Sequence, residues 1–252
     1  MLIEQTLARL RELRLDGMAS ALEEQQGSPD AAGLSFEDRL GLLLEREATA
    51  REDRRLTRLL RQAKLRLPAS VEDIDFQAPR GMDKSAILRL AEGRWIQDSE
   101  VTLIVGATGS GKTFLACALA HAACRRGFSS RYYRLSRLLE ELALARADGS
   151  YGKLLARLQK TRLLVLDDYG LQALKDSQRH DLLEVLEDRI GRQATLIASQ
   201  LPLDHWHDAV GDATLADAIL DRLVHGAHRI TLKGGSMRRK YAENSASAPN
   251  AE

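Results

Sequence analysis

The residues with the clearest chemistry form one run, Gly106-Ala107-Thr108-Gly109-Ser110-Gly111-Lys112-Thr113. It fits G-x-x-x-x-G-K-[ST], a pattern that arises by chance in roughly one chain in a hundred of this length. Polyphosphate is densely anionic, so a loop that holds it must wrap it in backbone N–H donors. Glycines at 106, 109 and 111 let the backbone turn inward without a clashing Cβ. Lys112 supplies a mobile positive charge for the β- and γ-phosphates, and the Thr113 hydroxyl is a hard oxygen ligand for Mg2+. The run predicts a triphosphate cradle from Gly106 through Phe114.

Such a cradle needs a second metal anchor. Leu163-Leu164-Val165-Leu166-Asp167-Asp168 supplies two carboxylates at the end of an aliphatic run, where ligands sit in an open α/β sheet. Asp167 is expected to hold Mg2+ and Asp168 to polarise the attacking water as a general base. A bare acidic pair could also be a turn or a helix cap. Hydrolysis further needs a polar group near the γ-phosphate. Thr195-Leu196-Ile197-Ala198-Ser199-Gln200 ends in two, and Ser199 or Gln200 would lie near that water. Arg222, late in a helical stretch, could reach the nucleotide of a neighbouring subunit, or could pair at the surface with Asp221 or Asp217.

These groups must be positioned by a scaffold, and the chain changes period near residue 68. Leu2, Leu7, Leu10, Leu13 and Met18 recur at helical spacing. Gly27, Ser28 and Pro29 break that pattern. A second helix is predicted from a Ser35-Phe36-Glu37-Asp38 capping box to about Arg66, stopped by Pro68. Residues 1–67 thus read as a small helical domain, a candidate for binding DNA or a partner on the grounds given below, and 68–240 as the nucleotide-binding domain. Residues 241–252 read as a disordered tail. In the second domain, apolar strands at 101–105, 130–134, 162–166, 194–198 and 228–232 alternate with helices at about 112–126, 135–147, 151–160, 177–190 and 214–224. Alternation of this kind predicts a parallel sheet covered on both faces.

Composition narrows the functions. The 252 residues are 44% hydrophobic and 29% charged, which excludes a disordered or collagen-like chain. The net charge of +1 means that any nucleic-acid surface must come from local charge arrangement. Cys117 and Cys124 are the only cysteines, too few for a disulfide framework or a four-thiolate zinc site. No apolar run is long enough to span a bilayer. No carboxylate triad of the kind that cuts DNA is evident.

Taken together, Gly106 to Thr113, Leu163 to Gly170, Ser199-Gln200-Leu201-Pro202 with Trp206-His207, and Gly211 to Leu223 resemble the IstB-like ATPases. Leu40 to Glu47 resembles that family's N-terminal domain. These are helper proteins of bacterial insertion sequences, similar to the helicase loader DnaC and the initiator DnaA. The resemblance covers about residues 1–240. It implies an α/β AAA+ core with a five-stranded parallel sheet in the order 5-1-4-3-2, and ATP and Mg2+ as cofactors. It also implies ATP-dependent self-association on double-stranded DNA, stimulation of a transposase, and a bacterial cytoplasmic setting. By position, Asp167 and Asp168 become the acidic pair of the ATPase. Ser199 and Gln200 cover a position where many relatives carry Asn, and Arg222 becomes an arginine finger. Arg238 becomes a second sensor of the nucleotide, and Ile74 and Phe76 become candidate adenine contacts.

DNA has two candidate surfaces. Arg51, Arg54, Arg55 and Arg58 share a helix face by three- and four-residue spacing, which can follow a phosphate backbone without reading bases. Glu45, Glu47, Glu52 and Asp53 offset part of that charge, so a solvated helix face is the plain alternative. Arg134, Arg137, Lys153 and Arg157 form the other set, in the part of the core where relatives place DNA. With aromatic residues at 4%, duplex backbone contact is favoured over base stacking. A DnaC-like helicase loader and a monomeric P-loop kinase are the competing readings.

Overall fold

The computed structural model describes residues 3–235, so Arg238 and the 241–252 tail lie outside the described residues. The chain divides into two compact units, residues 1–58 and 59–252.

In the first unit, α1 spans Ile3–Glu12, α2 Asp16–Gly27 and α3 Pro29–Ala32, and α4 starts at Phe36 and runs on to Ala63. The first predicted helix is therefore two, broken where Arg14 takes a left-handed φ of 58°. Helix α4 ends at Ala63, three residues short of the predicted Arg66, because Lys64 already has φ 49°. Ser35 does start α4, its Oγ accepting from the Asp38 amide at 3.1 Å. The reciprocal half of the box differs: the Asp38 carboxylate takes the Ser35 hydroxyl at 2.7 Å rather than a backbone amide. Helices α2 and α4 approach closely at Gly17, where a Cβ would stand 2.8 Å from the Glu47 Cα. That approach lets the buried Glu47 carboxylate accept from the Gly17 amide at 2.8 Å and the Met18 amide at 3.3 Å. First-turn amides have no partner within their own helix, so Glu47 caps α2 from across the unit.

The second unit holds α5 (Lys84–Ala91), α6 (Arg94–Gln97), β1 (Val101–Gly106), α7 (Lys112–Arg125), β2 (Ser130–Arg134), α8 (Leu135–Ala147) and α9 (Tyr151–Lys160). It continues with β3 (Leu163–Tyr169), α10 (Asp176–Glu187), β4 (Ala194–Ser199), α11 (Trp206–Val210), α12 (Ala213–Val224) and β5 (His228–Leu232). The strands pair in parallel in the order β2-β3-β4-β1-β5, the expected 5-1-4-3-2 arrangement. Strand alternation sorts the core into two layers. Ile104, Val165, Leu196 and Ala198 pack under α5, α6 and α7. Leu103, Leu164, Leu166 and Ile197 pack under α8 to α12. Helices α5, α6 and α11 were not expected from periodicity; each is short.

Arg189 is fully buried just before β4. Its guanidinium donates to the carbonyls of Leu158, Thr161 and Ala194 and to Thr195 Oγ1. Burial pushes it down to about 9, and the ring of acceptors fixes the start of β4 to the end of α9.

Candidate nucleotide-binding site

The loop from Gly106 to Thr113 leaves the end of β1 and enters α7. Gly106 is opposite Leu232 of β5, whose carbonyl oxygen would be 2.5 Å from a Cβ at that position. Gly111 has φ 99°, a left-handed conformation that favours glycine, and it precedes the first helical residue, Lys112. The loop amides and the N-terminus of α7 therefore open toward one cavity of about 720 Å³. Thr108, Gly109, Gly111, Lys112, Thr113 and Phe114 line it, with Asp168, Gln200, Arg66 and Arg80. Lys112 Nζ donates to Ala107 O at 2.9 Å, which holds the ammonium over the loop. Burial lowers its pKa, and the charges of Asp167 and Asp168 partly offset this.

The acidic pair is carried by a distortion of β3. Leu166 pairs with Ile197, but the next pair is Tyr169 with Ser199, so three steps on β3 match two on β4. The extra residue is a bulge, with Asp168 at a left-handed φ of 62°. In a regular strand neighbouring side chains face opposite ways. Here Asp167 reaches Thr113, and Asp168 still lines the cavity. Asp167 is fully buried and satisfied: its Oδ2 accepts from Thr113 Oγ1 and Tyr132 OH, each at 2.7 Å, and its Oδ1 from the Asp168 amide at 2.9 Å. Burial and the neighbouring Asp167 charge raise the Asp168 pKa, against Arg66, Arg134 and Lys112. Arg66 NH1 stands 3.7 Å from Asp168 Oδ2. The oxygen donors of Thr113 and Asp167 suit a hard cation such as Mg2+.

At the end of β4 the two polar side chains part. Ser199 is buried, donates to Tyr169 O at 2.8 Å and accepts from the Leu201 amide at 3.0 Å. Gln200 lines the cavity and accepts from Thr108 Oγ1 through Oε1. Trp206 packs on Tyr169 with ring centroids 4.3 Å apart and donates to Leu201 O at 3.0 Å, clamping the segment that presents Gln200.

Other expected residues lie elsewhere. Ile74 and Phe76 pack into the α5–α7 layer and do not line the cavity, whereas Asp73 and Asp75 between and beside them do. Arg222 pairs with neither Asp221 nor Asp217. Its NH2 meets Glu187 of α10 at 2.9 Å and its NH1 donates to Ala218 O at 2.8 Å. Arg51 and Arg54 are engaged with Glu47, and Arg54 also with Asp16, while Arg55 and Arg58 are exposed on the same helix. Arg134 sits opposite Asp167 in the sheet register. Arg137 pairs with Glu140 and Arg157 with Glu141; Lys153 is exposed. Tyr132, Arg66 and Arg80 carried no motif; only the three-dimensional arrangement brings them to the loop.

The model of the family described as IstB-like ATP binding protein matches residues 8–245. The chain belongs to the IstB-like ATP-binding family. A 49% identical relative, the putative insertion sequence ATP-binding protein y4pL of Sinorhizobium fredii (strain NBRC 101917 / NGR234), aligns over 97% of this chain and 100% of its own. The insertion sequence IS1162 putative ATP-binding protein of Pseudomonas fluorescens is 51% identical over 80% of this chain and 88% of its own. This IstB-like chain also shares its fold with solved structures of replication proteins. The DnaC helicase loader matches at TM-score 0.55 and 20% identity, over 68% of this chain and all of that one. DnaA bound to AMPPCP and single-stranded DNA matches at 0.59 and 15%, over 75% of this chain and 58% of that one. No helix among the described residues of the IstB-like chain is long and apolar enough to cross a membrane. Nor is any group of three or more His, Cys, Asp or Glu among them arranged to hold a metal.

Proposed function

We propose that this protein is a Mg2+-dependent ATPase that assembles on duplex DNA and stimulates a partner transposase. The observation that carries the catalytic part is the Thr113–Asp167 hydrogen bond, which brings the phosphate loop and the acidic strand end together. Thr113 and Asp167 would hold the metal, whose charge offsets that of the polyphosphate and of the departing ADP. The amides of the loop and Lys112 grip the phosphates. Gln200, anchored by Thr108, orients the attacking water, and Asp168 takes its proton as the new P–O bond forms and the β–γ bridging bond breaks. Arg222, exchanging Glu187 for phosphate, completes the site of a neighbouring subunit.

The insertion-sequence names of the relatives support a role beside a transposase. The DNA surface falls to exposed cations on both units, Arg58 and Lys153 among them. The test measures ATP turnover and sedimentation with and without duplex DNA, followed by capture of transposase or of replicative helicase. DNA-stimulated turnover, an ATP-dependent oligomer and capture of transposase are expected. Capture of helicase alone would favour a loader, and monomeric, DNA-independent turnover would favour a small-molecule kinase.

A further inference from the structure

Arg80 is a buried guanidinium with no ion-pair partner among the described residues. The residue is 6% exposed and lines the same cavity as Lys112 and Thr113. NH2 donates to Asp75 O at 2.5 Å, and Nε is buried with no partner. Among the described residues no carboxylate forms an ion pair with it. The nearby acids are spent on turns: Asp73 accepts from Ser70, and Asp75 accepts from the amides of Gln77 and Ala78. Arg189, also buried, has its guanidinium satisfied by carbonyls and a hydroxyl. Arg80 instead keeps its charge with an N–H unpaired beside an open cavity, a costly arrangement that an anion in the cavity would relieve.

The position of the guanidinium says which anion. NH1 lies 2.8 Å from where a Gly111 Cβ would be, directly on the backbone that caps α7. The backbone holds the residue there, since Arg80 O accepts from Lys233 N at 2.8 Å at the end of β5. Loop amides at the start of such a helix cradle the α- and β-phosphates, whereas the lysine reaches the β- and γ-phosphates. Gln200 and Asp168 mark the γ end.

We infer that Arg80 is a second phosphate-binding cation of this cavity, donating to the diphosphate portion common to ADP and ATP. The inference rests on the nucleotide reading above. A side chain at 111 would push the guanidinium off this position.

The test compares ADP and ATP affinity, by calorimetry, in the wild-type chain and in Arg80→Gln. At least tenfold weaker binding of both nucleotides is expected, with the nucleotide-free melting temperature kept. Wild-type ADP affinity in the variant overturns the inference, as does loss of ATP binding with ADP binding intact, which would move Arg80 to the γ end. A lowered nucleotide-free melting temperature with unchanged ADP affinity overturns it too, making Arg80 a structural post. If Arg80→Gln does not fold, the wild-type chain labelled at arginine Nε reports directly. The Arg80 Nε–H resonance is expected to shift and its exchange to slow on adding ADP, and an unmoved resonance rejects the contact. Failure of the wild-type chain to bind either nucleotide would instead reject the nucleotide reading itself.

Discussion

Thr113 Oγ1 donates a 2.7 Å hydrogen bond to Asp167 Oδ2 across 54 positions of sequence. The same carboxylate oxygen takes the Tyr132 hydroxyl, whose pKa burial and Asp167 push well up, so it remains a donor. Thr113, Tyr132 and Asp167 thus tie the loop, β2 and β3 together at the edge of the cavity.

Lys112→Ala removes the ammonium held over the loop. Nucleotide affinity should fall at least a hundredfold, on the order of 3 kcal/mol for a charged contact, with the fold retained. Fluorescent ATP titration checks this, and near-normal affinity would refute the phosphate-loop assignment.

Asp168→Asn keeps size and hydrogen-bonding capacity but cannot take a proton. Nucleotide binding should persist while turnover drops on the order of 10²-fold or more. Protein–DNA complexes should then outlive those of the wild type. Rapid-quench turnover beside the binding isotherm separates the two effects, and wild-type turnover would rule out the general-base role.

On the proposed trans role, Arg222→Ala should slow hydrolysis without weakening nucleotide binding. Mixed with Lys112→Ala, it should regain part of the activity, since some interfaces then pair an intact Lys112 with an intact Arg222. Turnover across a mixing series decides, and no recovery at any ratio would place Arg222 in the Glu187 pair alone.

Glu47 links acid stability to the helical unit. Burial opposes its ionisation, but Arg51 and the amides of Met18 and Gly17 outweigh that and hold the carboxyl below the usual range. A depressed carboxylate stabilises the fold above its ordinary value near 4.5 and loses that contribution as pH falls through the folded value. The protection factors of the Gly17 and Met18 amides, corrected for intrinsic exchange, should drop as pH falls below the ordinary carboxylate range. Glu47→Gln should cost about 2 kcal/mol at neutral pH and remove that acid dependence; an equal acid response in the variant would assign it elsewhere.

The chain's own order of residues determined the phosphate loop, the aliphatic run ending in Asp167 and Asp168, and the alternation of strands with helices. These are local patterns, in which charge, glycine and apolar period sit within a few positions of one another. The strand order was available only because several such runs together resemble a known family. Packing alone decided the rest. The β3 bulge puts two consecutive carboxylates to use at one site, and the bonds of Ser199 to Tyr169 and Leu201 leave Gln200 as the side chain facing the loop. Arg222 finds Glu187 on another helix, and the segment before β1 turns Ile74 and Phe76 into the core while it delivers Arg80 to Gly111. Each of these depends on contacts between positions far apart in sequence. Their energy comes from burial and hydrogen-bond satisfaction once the layers have met, and no local period encodes it.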